Sequence, residues 1–313
     1  MDRRTFAKSL AATALFPAVS QSGAAFAENT PLGEAKNATP GAAEASSAPF
    51  KISIMLWTVF RDLPIEQRLE KVAEAGYTNV ELVGEQKKWS EEEWKRVDAR
   101  RRQLGIAFDA TGGLKNGVAI PDGHEALQAE LRDELASMEK IECPALIVMS
   151  GNTVPGMPRQ LQHESCIEAL KKAAAIVEGR KINGAPVRLL LETIDPEENP
   201  NYYLTSMNEG FEIIKAVNHP QVQMLYDFFH EQIAEGNLIE KLERNIEHVG
   251  LVHVADVPGR HEPGSGEINY ANIFRKLGQL RYDRMVAMEF KPTADPVRKL
   301  REAREMALAA GHG

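Results

Sequence analysis

The sequence predicts an α/β fold, a single closed (β/α)8 TIM barrel, and three observations carry that prediction. Short apolar runs rich in β-branched residues alternate with longer amphipathic stretches from Phe50 to the end of the chain. Eight such runs fall within about 260 residues, close to the length one barrel of this kind needs. The runs are apolar at nearly every position, which marks strands buried on both faces and flanked by helices. A doubly wound open sheet is the rival arrangement. Neither a G-x-G-x-x-G after the first strand nor a phosphate-binding G-x-x-x-x-G-K is present to support it.

The chain opens with M-D-R-R-T-F-A-K-S-L-A-A-T-A-L-F-P-A-V-S-Q-S-G-A-A-F-A, residues 1–27, which resembles a twin-arginine export signal. Arg3 and Arg4 form the pair, Phe6 and Lys8 stand at the expected offsets, and cleavage is expected after Ala27. Its apolar stretch of about a dozen residues falls short of the ~20 that span a bilayer, so a retained membrane anchor is the weaker reading. Residues 28–49, rich in Ala, Glu, Ser, Pro, Asn and Gly, read as a disordered linker. The barrel domain is then expected over 50–313, exported to the periplasm and free of the membrane after cleavage.

Apolar residues make up 43% of the chain and charged ones 26%, as in an ordinary globular protein with a sizeable core. The formal net charge of −8 becomes about −10 once the leader is removed, since three of its four charges are positive. An acidic chain argues against nucleic acid as a partner. Cys143 and Cys166 are the only cysteines and lack C-x-x-C spacing, so they read as separate small buried residues rather than a disulfide.

Strands are predicted at 51–57, 79–83, 106–110, 145–150, 187–193, 222–227, 249–255 and 285–290. Helices are predicted between them, among others at 64–76, where Gly76 marks the end, and at 90–105, 124–139 and 159–177.

In such barrels chemistry gathers at the carboxyl ends of the strands, so a polar residue closing an apolar run stands out. Four do: Glu192 in L-L-L-E-T, Asp227 in M-L-Y-D-F, His253 in L-V-H-V-A and Glu289 in V-A-M-E-F. Their spacings of 35, 26 and 36 residues each approximate one βα unit, which brings them to a similar height on strands five to eight. Three carboxylates beside one imidazole in an apolar setting require positive charge. A divalent metal supplies it, and an oxygen-rich set with no thiolate suits Mg²⁺, Mn²⁺ or Co²⁺, with Zn²⁺ also compatible.

Several segments carry a family resemblance. D-V-P-G-R-H-E-P-G-S-G-E-I-N-Y (256–270), L-L-L-E-T-I-D-P (189–196), N-Y-Y-L (201–204), Y-D-F-F-H-E-Q (226–232), E-G-N-L (235–238) and M-E-F-K-P (288–292) resemble the hydroxypyruvate isomerases of the xylose isomerase-like barrels. The resemblance spans roughly residues 50–310 and is densest from 187 onward. It implies that Glu192, Asp227, His253 and Glu289 are metal ligands and that Glu192 and Glu289 are the acid/base pair. It implies a metal-dependent isomerase that moves a carbonyl between adjacent carbons of a small hydroxy-carbonyl compound, of the hydroxypyruvate/tartronate semialdehyde type, through an enediolate. The sequence departs from that pattern at His253, where hydroxypyruvate isomerases often carry Gln and ketose epimerases carry His.

Around these four, His230 is placed to hydrogen-bond a substrate oxygen, and Arg260 to clamp a substrate carboxylate with its planar fork. The bland reading of Arg260 is a salt bridge to Glu262 or Glu267. Gly259, Gly264 and Gly266, with Pro258 and Pro263, shape a seventh loop over the barrel mouth, in which His261 and Glu262 are read as supporting or lid residues. Glu81 and Trp57 also end strands and are left outside the predicted site. The cations in K-R-V-D-A-R-R-R (95–102) read as a solvated helix face. Rival functions are a ketose 3-epimerase with the same ligands, and an exported barrel that binds a sugar or hydroxy acid without turnover. An abasic-site endonuclease would want more ligating histidines and a basic groove. The expected partner is a small-molecule sugar or hydroxy acid, and an oligomer is compatible with the fold.

Overall fold

The computed structural model describes residues 48–312. The predicted leader and nearly all of the predicted linker lie outside them. Eight parallel strands close into one barrel: β1 (Lys51–Met55), β2 (Asn79–Leu82), β3 (Ala107–Thr111), β4 (Ala145–Met149), β5 (Arg188–Glu192), β6 (Val222–Asp227), β7 (Val249–Val254) and β8 (Met285–Met288). Each strand pairs with its sequence neighbours, and β8 closes the ring against β1 from Lys51↔Met285 to Ile54↔Met288. A small hairpin of Lys181–Ile182 with Ala185–Pro186 stands apart from the barrel sheet.

Helices α1 (Ile65–Glu74), α2 (Glu91–Leu104), α3 (His124–Ile141), α4 (Arg159–Val177) and α5 (Met207–Val217) return the chain after the first five strands. Two short helices, α6 (Phe228–Ala234) and α7 (Leu238–Asn245), share the sixth return; α8 (Tyr270–Gln279) and α9 (Pro296–Gly311) complete the ring. Local chemistry sets their ends. Ser90 and Glu93 form a reciprocal capping box that satisfies two of the free N–H groups at the start of α2, and Gly105 ends the helix at φ +68°. No helix among the described residues is long and apolar enough to cross a membrane.

Two apolar layers make the core. The larger lies between strands and helices and includes both cysteines, which are buried and unpaired. The smaller fills the barrel interior with Met55, Ala110, Ala145, Ile147, Leu190, Leu225, Leu251 and Ala287. Because strand side chains alternate faces, the residue two positions beyond an inward one also points inward. Leu190, Leu225, Leu251 and Ala287 therefore place Glu192, Asp227, His253 and Glu289 on the barrel axis one layer higher.

Candidate active site

The four residues meet as the strand pattern predicts. Glu192, Asp227, His253 and Glu289 are all buried, and each offers a ligand atom within 4.8 Å of the others. Asp227 pairs in register with His253 across β6 and β7. One Asp227 oxygen, Oδ1, accepts from the backbone N–H of Phe229 at 2.7 Å and so caps α6, which leaves Oδ2 for the site.

Glu289 is held from three sides. The Trp57 indole N–H donates to its Oε1 at 2.8 Å, and His253 Nδ1 and Arg260 Nη2 approach Oε2 at 2.8 and 2.7 Å. Burial works against ionisation of Glu289, but the charges of Arg260 and His253 outweigh it and hold the carboxylate well below its usual range. Glu192 has no such clamp: burial, the largest influence on it, pushes it up to about 7. Two carboxyls sharing one cavity are thus shifted in opposite directions.

Arg260 enters the site rather than the loop surface. Its guanidinium reaches Glu289, Glu198 at 2.7 Å and Asp227 at 3.5 Å, and it stacks over Trp57 and Phe229 at 5.7 and 4.9 Å. Neither Glu262 nor Glu267 is its partner. Glu262 binds the Thr293 hydroxyl and Lys299 instead, so it braces the loop base rather than forming a lid. His261 likewise turns to the Lys291 carbonyl. The loop is organised by Asp256, whose carboxylate accepts from the backbone of Gly264, Gly266 and Ile268; a Cβ on Gly266 would sit 2.0 Å from the Val257 oxygen. His230 is buried beside the centre: Nδ1 meets Asp195 at 2.6 Å, and Nε2 lies between Arg260 Nη1 at 3.2 Å and Asp227 Oδ2 at 3.5 Å. Burial opposes its charge, yet Asp227 and Asp195 raise its pKa to about 9.

Two residues left outside the predicted site belong to it. Trp57 is one, because β1 ends at Met55 and the next three residues form a 3₁₀ turn. The other is Glu81, fully buried on β2, whose Oε2 lies 2.9 Å from His253 Nε2. Signals existed for both, a Trp and a Glu closing apolar runs, but their partners lie 232 and 172 residues away.

A cavity of about 300 Å³ opens above the centre. Glu192, Glu198, His230, His253, Arg260 and Glu289 line one side; Met55, Val83, Leu114, Ile147 and Met149 line the other. The donor set fits a hard or borderline divalent cation: three carboxylates and one imidazole converge without a thiolate, and beside them Arg260 already pairs with Glu289 and Asp227.

Barrel and centre together define a class, a (β/α)8 barrel with a buried carboxylate–imidazole site at the carboxyl end of its strands. The chain belongs to the xylose isomerase-like TIM barrel family, whose model matches residues 69–309. It is 28% identical over 246 residues to a 2-oxo-tetronate isomerase of Pectobacterium atrosepticum, a match covering 77% of this chain and 92% of the relative. A putative hydroxypyruvate isomerase of Danio rerio is 30% identical over 261 residues, covering 78% and 91%. Among solved structures, one described as an AP endonuclease, family 2, from Brucella melitensis superimposes with a TM-score of 0.71 at 26% identity, covering 80% of this chain and 96% of that one.

Proposed function

We propose that this chain is a divalent-metal-dependent isomerase that shifts the carbonyl of a small hydroxy-carbonyl acid, of the hydroxypyruvate/tartronate semialdehyde type, to the adjacent carbon. The observation that carries the reading is the convergence of Glu192, Asp227, His253 and Glu289 beside an arginine that already faces carboxylates. Those four would hold the ion, Mg²⁺, Mn²⁺ or Co²⁺ by donor type. When bound, it would supply Lewis-acid stabilisation of charge developing on the enediolate oxygens.

The chain's own residues do the rest. Arg260 orients the substrate carboxylate with its planar fork and neutralises its charge. Glu192 and Glu289 flank the reacting carbons, one taking the proton from the hydroxyl-bearing carbon and the other delivering a proton to the former carbonyl carbon, while the hydroxyl proton passes to the former carbonyl oxygen. Trp57 and His253 fix the Glu289 carboxylate in place, and the apolar wall limits water at the enediolate. A pure binding barrel has no need of such a pair.

His253 favours a second reading, a ketose 3-epimerase, in which the same pair acts on opposite faces of one carbon. The cavity of about 300 Å³ has room for a sugar as well as a three-carbon acid. The deciding experiment measures bound divalent ion and loss of the α-proton signal in D₂O, with hydroxypyruvate and a panel of ketoses, for wild type, Glu192→Gln and Glu289→Gln. Ion plus exchange in wild type alone supports the isomerase; exchange only with ketoses supports the epimerase; ion without any exchange overturns both. The twin-arginine pair at Arg3 and Arg4 supports export, which cell fractionation of an Arg3→Lys/Arg4→Lys variant tests by retention in the cytoplasm.

A further inference from the structure

His253 is gripped at both nitrogens. Nδ1 lies 2.8 Å from Glu289 Oε2 and 3.9 Å from Glu192 Oε1, while Nε2 lies 2.9 Å from Glu81 Oε2. A neutral imidazole that ligates through one nitrogen carries its hydrogen on the other. Nδ1 is the nitrogen that faces the carboxylate centre, so the hydrogen belongs on Nε2, and Glu81 is its acceptor. Glu81 comes from β2, in the opposite half of the barrel, and has no exposed surface.

Glu81 has a second carboxyl beside it. Asp109 on β3 lies near enough for the Glu81 charge to oppose its ionisation, and Ser53 Oγ on β1 donates to Asp109 Oδ1 at 2.6 Å. Glu81 Oε1 and Asp109 Oδ2 are both buried and meet no N–H or O–H donor. A polar chain this deep is expensive unless it orders something, because each unpartnered buried oxygen weakens the fold. What it reaches is the one imidazole of the centre.

We propose that Glu81, backed by Asp109 and Ser53, is the positioning residue for His253: it accepts the Nε2 hydrogen, fixes the tautomer and ring plane, and presents Nδ1 to a divalent cation. The inference rests on the metal-centre reading. It gives β1, β2 and β3 a part in a centre whose ligands all come from β5, β6, β7 and the residue following β8. The competing role is purely structural, a buried pair that ties the two halves of the barrel together.

Co²⁺ is the probe that separates the two, through its affinity by chelator competition and its visible absorption. Outer partners of ligating histidines typically change metal affinity by about 10- to 100-fold. Glu81→Met should weaken Co²⁺ binding by about that factor and alter the absorption bands, whereas Glu81→Gln, whose amide oxygen still accepts, should stay within about threefold of wild type. Asp109→Asn should fall between them. A folded Glu81→Met that binds Co²⁺ as wild type does, with the same spectrum, overturns the inference and leaves the metal centre standing. Wild type that takes up no Co²⁺ overturns both. Should Glu81→Met fail to fold, ¹⁵N-histidine spectra of the Zn²⁺-loaded wild type decide: a slowly exchanging Nε2–H supports the role, and an Nδ1–H with Nε2 ligated excludes it.

Discussion

The two halves of the barrel use their strand ends differently. Strands β5, β6 and β7 end in or near Glu192, Asp227 and His253, with Glu289 directly after β8, whereas β1, β2 and β4 close on Met55, Leu82 and Met149. The second half holds the charge, and the first half walls the cavity with apolar side chains. Where the first half is polar it acts at one remove, through Trp57 on Glu289 and Glu81 on His253. A closed barrel lets one half evolve chemistry while the other sets the shape and dryness of the space above it.

The contrast is sharpest for the proposed acid/base pair, Glu192 and Glu289. Glu192→Gln or Glu289→Gln should lower kcat by about 10²- to 10⁴-fold, the range a positioned proton-transfer group supplies, with stability lowered for Glu289→Gln, which leaves buried Arg260 without its partner charge. A comparable loss from Ile147→Val, on the apolar wall, would break the division. Next in size is Arg260→Met. It should raise KM for a carboxylate substrate by about 10- to 100-fold, equivalent to the ~1.5–3 kcal/mol of a charge-assisted bond, and change KM for a neutral ketose less. Steady-state kinetics on both substrates read the split.

A pH series tests the electrostatics of the same half. Burial raises Glu192 from 4.5 to about 7, above its unfolded value, so ionising it destabilises the ion-free protein as pH rises through that window. A cation must displace the proton at lower pH and binds freely above about 7. The rise in Tm on adding Mn²⁺ should therefore be larger at pH 8 than at pH 5, and an equal rise at both would remove Glu192 from the centre. Smallest of all, Ile147→Val should keep kcat/KM within about threefold and lower stability by ~0.5–1.5 kcal/mol in thermal or denaturant unfolding.

The same contrast explains what the sequence disclosed. All eight strands and helices such as α2 and α4 were legible from alternation and end signals, with boundaries shifted by one or two residues. So was the four-residue cluster, because each member closes an apolar run at barrel spacing. Glu81 was not, since a carboxylate on one short strand reads as an ordinary polar terminus until the closed ring sets it against His253. The β2–β3 register also shifts between Val80 and Glu81, which no periodicity announces. Arg260 lines the cavity, yet its partners Glu198 and Glu289 lie on other loops and strands, beyond the reach of local pattern.

Trp57 has an optical consequence. It is one of three tryptophans, and the other two, Trp89 and Trp94, stack on each other with centroids 6.0 Å apart. Trp57 alone donates to Glu289 and lies 5.7 Å from Arg260 and 5.9 Å from Lys291. Its emission is therefore wired to the charge state of the centre. In a Trp89→Phe/Trp94→Phe background, the protein would report each ligand's arrival at its own mouth by fluorescence, without any added label.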